Sequence, residues 1–244
     1  MEQTKTPNYN KKIWTNRTNR TYKTPQEWDI IVNHITEGLM PGVLSYMERP
    51  DISVSAHFLI TRKGEIYRQA DLKHGAWHCV KNKPSAKVVA GRTAPANLYT
   101  VGIEHEGMHK DTKGALTPEQ YKATLFAHQY IIEQYEKTFN KPFQIDRDHI
   151  IGHYEVDTVN RDKSDPGINF PWEELMFDLK AWDKKRKAPP EPVKPAEDLA
   201  PDGKLFQVAI GAYKNRANAN DELAKAKSAG LDPYLVLIDD PRGK

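Results

Sequence analysis

The sequence predicts a mixed α/β domain with one central sheet flanked by helices, followed by a small βαβ module. Three observations predict it. Over residues 1–183, short apolar runs bounded by turn residues alternate irregularly with helical periodicity. Residues 184–203, opening Lys184-Lys-Arg-Lys-Ala-Pro-Pro-Glu-Pro, are rich in Pro and charge and read as a semi-rigid linker. Beyond it, residues 204–244 run strand, helix, strand once.

Each element has its own signal. Trp28-Asp-Ile-Ile-Val-Asn-His34 is an apolar run that reads as a buried strand ending in a histidine. Ser55 to Arg62 and Glu65 to Ala70 flank Lys63-Gly64, a hairpin pattern. Tyr99 to Glu106 is a further strand, closed by Gly107. Thr117-Pro-Glu-Gln120 opens a helix: Thr caps it, Pro takes the first turn, and Gln is placed to close a capping box. Tyr121, Leu125, His128, Ile132 and Tyr135 then fall on one face, and the helix should run to about Phe139. Asp148 to His153 reads as a short strand, and Pro171-Trp172 opens a last helix. In the tail, Lys204 to Ile210 and Pro233 to Ile238 read as strands around an Ala/Lys-rich helix at residues 218–229.

Composition excludes several classes. The 244 residues contain no apolar run long enough to insert in a membrane. Net charge is +3, without a basic stripe interleaved with aromatics, which argues against nucleic acid as a partner. Cys79 is the single cysteine, so neither an intrachain disulfide nor a cysteine-rich metal site can form. The polar start lacks an apolar h-region. The chain is therefore expected to be made in the cytoplasm without a signal peptide.

Nine histidines make the more informative set. His34 ends an apolar strand, where side chains reach a cleft at the sheet edge. His149 and His153 share strand parity, so spacing does not choose between them. The stretch from Gly152 to Gly167 holds His153, Glu155, Asp157, Asp162 and Asp165, all of them types that zinc accepts. A polar surface loop with an Asp-Pro-Gly turn explains the same residues equally well. Glu104 and Glu106 project to one face of their strand, where a carboxylate serves as a general base or in an ion pair.

Together these residues resemble the type 2 N-acetylmuramoyl-L-alanine amidases, whose fold is shared with peptidoglycan recognition proteins and amidase-type phage lysozymes. The resemblance spans about residues 30–175. It rests on Ile31-Val-Asn-His34, on Ser55-Ala-His-Phe-Leu-Ile60 followed by Gly64, and on Gly75-Ala-Trp-His78. It continues through Val101-Gly-Ile-Glu104, Gly152-His153, and Lys163-Ser-Asp-Pro-Gly167 before Phe170-Pro-Trp172. It implies one zinc per chain on His34, His153 and Asp165. It implies Glu104 as the catalytic carboxylate and Lys163 beside the reacting carbonyl. His57, Trp77 and His78 match a substrate-groove wall. The step from His153 to Asp165 is longer than the family's usual one and reads as a loop insertion. The Lys-x-Asp-Pro-Gly context selects Asp165 over Asp162. Ala56 stands where some phage members carry a catalytic Tyr.

The tail resembles one half of a sporulation-related repeat, through Phe206-Gln-Val-Ala-Ile-Gly-Ala-Tyr213 and Ala229-Gly-Leu-Asp-Pro-Tyr234. That implies binding to peptidoglycan. A lone βαβ half has little core of its own and is expected to pair with a second copy as a homodimer. The implied activity is hydrolysis of the bond between the muramic acid lactyl group and L-alanine, by a phage or prophage endolysin or an autolysin acting at the wall after release. Two rivals are a non-catalytic peptidoglycan-binding module and an intracellular amidase that recycles muropeptides.

Overall fold

The computed structural model describes residues 21–22, 27–49, 51–161, 164–188, 220, 224–226 and 228. The chain divides into two units, Met1–Pro189 and Pro190–Lys244.

The first unit is built on a five-stranded sheet. Its strands are β2 (Ile30–Ile35), β3 (Phe58–Ile60), β4 (Ile66–Arg68), β6 (Thr100–His105) and β7 (Ile150–Gly152), in the order β4-β3-β6-β2-β7. β3, β6, β2 and β7 run parallel, and β4 is the antiparallel edge. A two-stranded ribbon pairs β1 (Thr21–Tyr22) with β5 (Gly75–Ala76). The hairpin turn between β3 and β4 carries Gly64 at φ +79°, the conformation that only glycine adopts without strain.

Strand parity sorts the core into two layers. Ile31, Val101, Ile103 and Ile150 face the helices α4 (Pro118–Phe139) and α6 (Trp172–Lys187). There they pack on Ala127, Ile131, Leu175 and Leu179. Ile30, Val32 and Ile151 face the opposite way, onto Val89 of α2 (Lys87–Ala90) and onto Ala96 and Tyr99. Each fully buried Ile contributes roughly 1.5–3 kcal/mol, so both layers hold the central strands. The same alternation sends Asn33 toward α4 and His34 toward the opposite side.

α4 begins and ends where the sequence places it. The Thr117 hydroxyl accepts from Gln120 N at 3.1 Å, Pro118 takes the first position, and Asn140 closes the helix at φ +51°. The capping box does not form. Gln120 is buried, and its Nε2 donates instead to Ile60 O at 3.2 Å and Glu106 O at 3.0 Å. Two carbonyls at strand ends outcompete the helix start because buried acceptors need partners.

Three boundaries differ from expectation. β7 stops at Gly152, and His153 opens the short helix α5 (His153–Val156). Glu106 lies past the end of β6 and accepts from Met40 N and Arg62 N, a fastening of loops. α6 continues past residue 183 to Lys187, because its last turn carries Lys184, Lys185, Arg186 and Lys187, which complement the helix dipole. There Arg186 also pairs with Glu136 at 2.7 Å.

In the second unit, residues 220, 224–226 and 228 are helical, inside the helix expected at 218–229. The two expected strands, the linker from residue 189 onward and any pairing with a second copy lie outside the described residues. Among the described residues, no helix is long and apolar enough to cross a membrane.

Candidate active site

The site lies at the carboxyl ends of the parallel strands, where open α/β sheets place their ligands. β2 pairs with β6 so that His34 stands opposite Glu104. On its other side β2 pairs with β7, with Asn33 opposite Gly152. His153 follows Gly152 directly, so it emerges level with His34. Asn33, on the other face, is anchored inside the core. Its Nδ2 donates to His128 Nε2 at 3.3 Å, and His128 Nδ1 donates to Thr124 O at 2.8 Å. That accounts for a fully buried histidine on the apolar face of α4.

Asp165 completes the group from a distant loop. Its Oδ1 accepts from Ile35 N at 3.0 Å, and its carbonyl accepts from Tyr154 N at 3.1 Å. Each bond ties it to the neighbour of a histidine in the group. Oδ2 is thereby turned inward, 2.9 Å from His153 Nδ1 and 3.6 Å from His34 Nδ1. The three donor atoms lie within 4.8 Å of one another, and all three residues are buried. Two imidazole nitrogens and a carboxylate oxygen form a donor set that suits zinc, and three protein donors leave a coordination position open.

The electrostatics follow from burial. Glu104 is 7% exposed, and its Oε2 is buried without a hydrogen-bond partner among the described residues. Burial, and then the negative charge of Asp165, push its carboxyl up to about 8, with Arg161 opposing them. Asp165 moves the other way. Burial works against its charge, but His34 and His153 outweigh it and hold the carboxyl below the usual range. Burial also lowers His34. Arg161, half exposed at the rim, sits 3.9 Å from Asp165 Oδ2.

The structure thus brings together His34, His153, Asp165 and Glu104. Trp77 is half-buried, its ring edge-on to Tyr22 with centroids 6.3 Å apart. His57 and His78 do not form an open groove wall as expected; both are interior. His57 Nδ1 accepts from Gly102 N at 3.0 Å and its Nε2 donates to His74 O at 2.8 Å, so it completes the sheet edge, and burial pushes it down to about 4. His78 fills the space over Gly102, where a Cβ would come within 2.5 Å of its ring. Lys163 and Asp162 lie outside the described residues. Sequence reasoning missed Thr100, Gly102 and Arg161. Thr100 and Gly102 share parity with Glu104, and a glycine inside a buried strand is itself a sign of close approach.

Comparison with known proteins gives the family. A family model described as N-acetylmuramoyl-L-alanine amidase matches residues 24–168. A second model, described as SPOR domain, matches residues 180–237, beginning within α6. N-acetylmuramoyl-L-alanine amidase A of Achromobacter lyticus is 33% identical over 101 residues, which cover 41% of this chain and 49% of that protein. The 1,6-anhydro-N-acetylmuramyl-L-alanine amidase AmpD of Haemophilus influenzae is 31% identical over 136 residues, covering 55% of this chain and 64% of that one. The chain therefore spans about half to two thirds of the length of these relatives. Among solved structures, the amidase AmiD from E. coli has a TM-score of 0.47 at 22% identity, covering 64% of this chain and 58% of that one. The endolysin LysCS from Clostridium intestinale has a TM-score of 0.46 at 23% identity, covering 64% and 85%. The family match takes in more than half of the chain, the whole sheet, and His34, Glu104, His153 and Asp165, so the chain belongs to the N-acetylmuramoyl-L-alanine amidase family.

Proposed function

We propose that this chain is a zinc-dependent amidase of peptidoglycan. It hydrolyses the amide between the lactyl group of N-acetylmuramic acid and the L-alanine of the stem peptide. One observation carries the reading: three buried, convergent donors on His34, His153 and Asp165 stand beside a buried carboxylate, one oxygen of which has no partner among the described residues. Zinc held there supplies Lewis acidity and lowers the pKa of a water toward neutrality. Nδ1 of His34, Nδ1 of His153 and Oδ2 of Asp165 are the atoms that would hold it. Ile35 N–H keeps Asp165 aimed.

Glu104 Oε2 takes the proton from the attacking water and passes it to the leaving amine of L-alanine. Burial raises the proton affinity of this carboxyl, which strengthens it as the proton acceptor. Lys163 is assigned the developing charge on the lactyl oxygen, with Arg161 a further cation at the rim. The SPOR match supports intact wall as the substrate, as for an endolysin or autolysin. A second reading, action on soluble anhydro-muropeptides, is favoured by the Haemophilus influenzae relative and its printed activity.

Metal analysis and a turbidity assay test the proposal. The purified chain should hold one zinc, and a chelator should stop release of material from sacculi until zinc is restored. Undiminished activity in the fully chelated protein would sink it.

A further inference from the structure

His34 is held by a chain of hydrogen bonds that reaches away from the site, and the chain has a direction. It starts at a carbonyl. Thr100 Oγ1 donates to Ala96 O at 2.8 Å, in the turn before β6. A hydroxyl has one proton, so Thr100 is left with lone pairs only. His78 Nε2, 3.0 Å away, must therefore donate to it. Cys79 Sγ, at 3.7 Å, is placed to donate as well, and burial pushes its thiol up to about 12, which keeps the proton on it. A neutral imidazole with a proton on Nε2 has its lone pair on Nδ1. His78 Nδ1 lies 3.0 Å from His34 Nε2, so His34 donates there. The proton of His34 is thus committed to Nε2, and its lone pair is on Nδ1, the atom that faces Asp165 Oδ2.

The surroundings of His78 keep it in this place. Its backbone N–H and that of Cys79 both donate to Asn97 Oδ1, at 3.1 and 2.9 Å. Its ring lies over Gly102, which leaves it room that any side chain would fill. His153 lacks such a lock. Its Nε2 is buried without a partner among the described residues, and its Nδ1 is the nitrogen that meets Asp165. A metal can take His34 as it stands, whereas His153 must move its proton from Nδ1 to Nε2.

We infer that His78 and Thr100 are positioning residues that fix His34 in the Nε2–H tautomer and so preset it as a metal ligand. The inference rests on the metal reading proposed above. Outer partners of a ligand histidine fix its ring and tautomer, and their loss typically lowers metal affinity about 10–100-fold. Thr100→Val removes the acceptor at nearly constant shape. His78→Leu removes both ring nitrogens. His78→Asn keeps an acceptor oxygen near the place of Nδ1.

Two measurements test it. Long-range nitrogen–proton NMR of the metal-free protein reads the His34 tautomer directly, and chelator competition reads zinc affinity. The wild type should show His34 protonated on Nε2. Thr100→Val and His78→Leu should bind zinc about 10–100-fold more weakly, and His78→Asn close to wild type. His34 protonated on Nδ1 in the wild type would overturn the inference, whatever the variants do. So would equal affinity in His78→Asn and His78→Leu, or full affinity in Thr100→Val. A wild type that takes up no zinc would overturn the metal reading, and the inference with it. A wild type that binds zinc beside unaffected variants would overturn the inference alone.

Discussion

Replacing Glu104 by Gln separates what this carboxyl does for the reaction from what it costs the fold. Its side chain is buried at the end of β6, one oxygen has no partner among the described residues, and its proton affinity is raised from the ordinary 4.5 to about 8. Between those values the folded, metal-free protein holds a proton that the unfolded chain has released. The folded state then binds more protons, so stability falls as pH rises through that window. Each pH unit costs on the order of 1 kcal/mol. Glu104→Gln has the same shape and no such titration. The variant should match the wild type near pH 4.5 and become more stable by an increasing margin, on the order of several kcal/mol, as pH approaches 8. Denaturant unfolding of the metal-free proteins across pH reads this. Turnover should move the opposite way and fall about 10²–10⁴-fold, with zinc content unchanged. A stability difference that is flat with pH would refute the burial argument. Wild-type turnover would remove Glu104 from the reaction.

Other perturbations test the rest of the site. Asp165→Ala should lose zinc while Asp162→Ala keeps it, read by metal analysis; the reverse would show that the loop is aligned wrongly. Lys163→Ala should lower the turnover number and spare zinc content; loss of the metal would make it structural. His57, His105 and His128 are pushed by burial down to about 4, about 3 and about 4. In the unfolded chain they take protons near 6.5, so the stability they preserve is complete above that pH and is lost as pH falls toward 4. The metal-free Glu104→Gln variant, which lacks the opposing Glu104 titration, should melt markedly lower at pH 4.5 than at pH 7, and a flat profile would contradict their burial as neutral rings.

The sequence made the strands and the long helix legible because their signals are local. Apolar runs marked β2 and β6, and Thr117-Pro118 opened α4. Gln120 misled because its partners, Ile60 O and Glu106 O, come from other elements. Residue chemistry alone could not choose His153 over His149, since both have the same parity. The fold decides it by ending β7 at Gly152, opposite Asn33. The resemblance supplied His34, Glu104, His153 and Asp165, and the register of β2 with β6 and β7 accounts for their meeting. His57 and His78 were read as a groove wall because they match the family pattern. The place of His78 depends on Gly102, whose missing side chain makes space visible only in three dimensions.

The bond that is cut tests the account most directly. Mass spectrometry of sacculi digested by the zinc-loaded protein should find stem peptides with a new free amino group on L-alanine and glycan strands with bare lactyl groups. Glycan fragments that still carry their peptides, or cuts within the stem peptide, would contradict it.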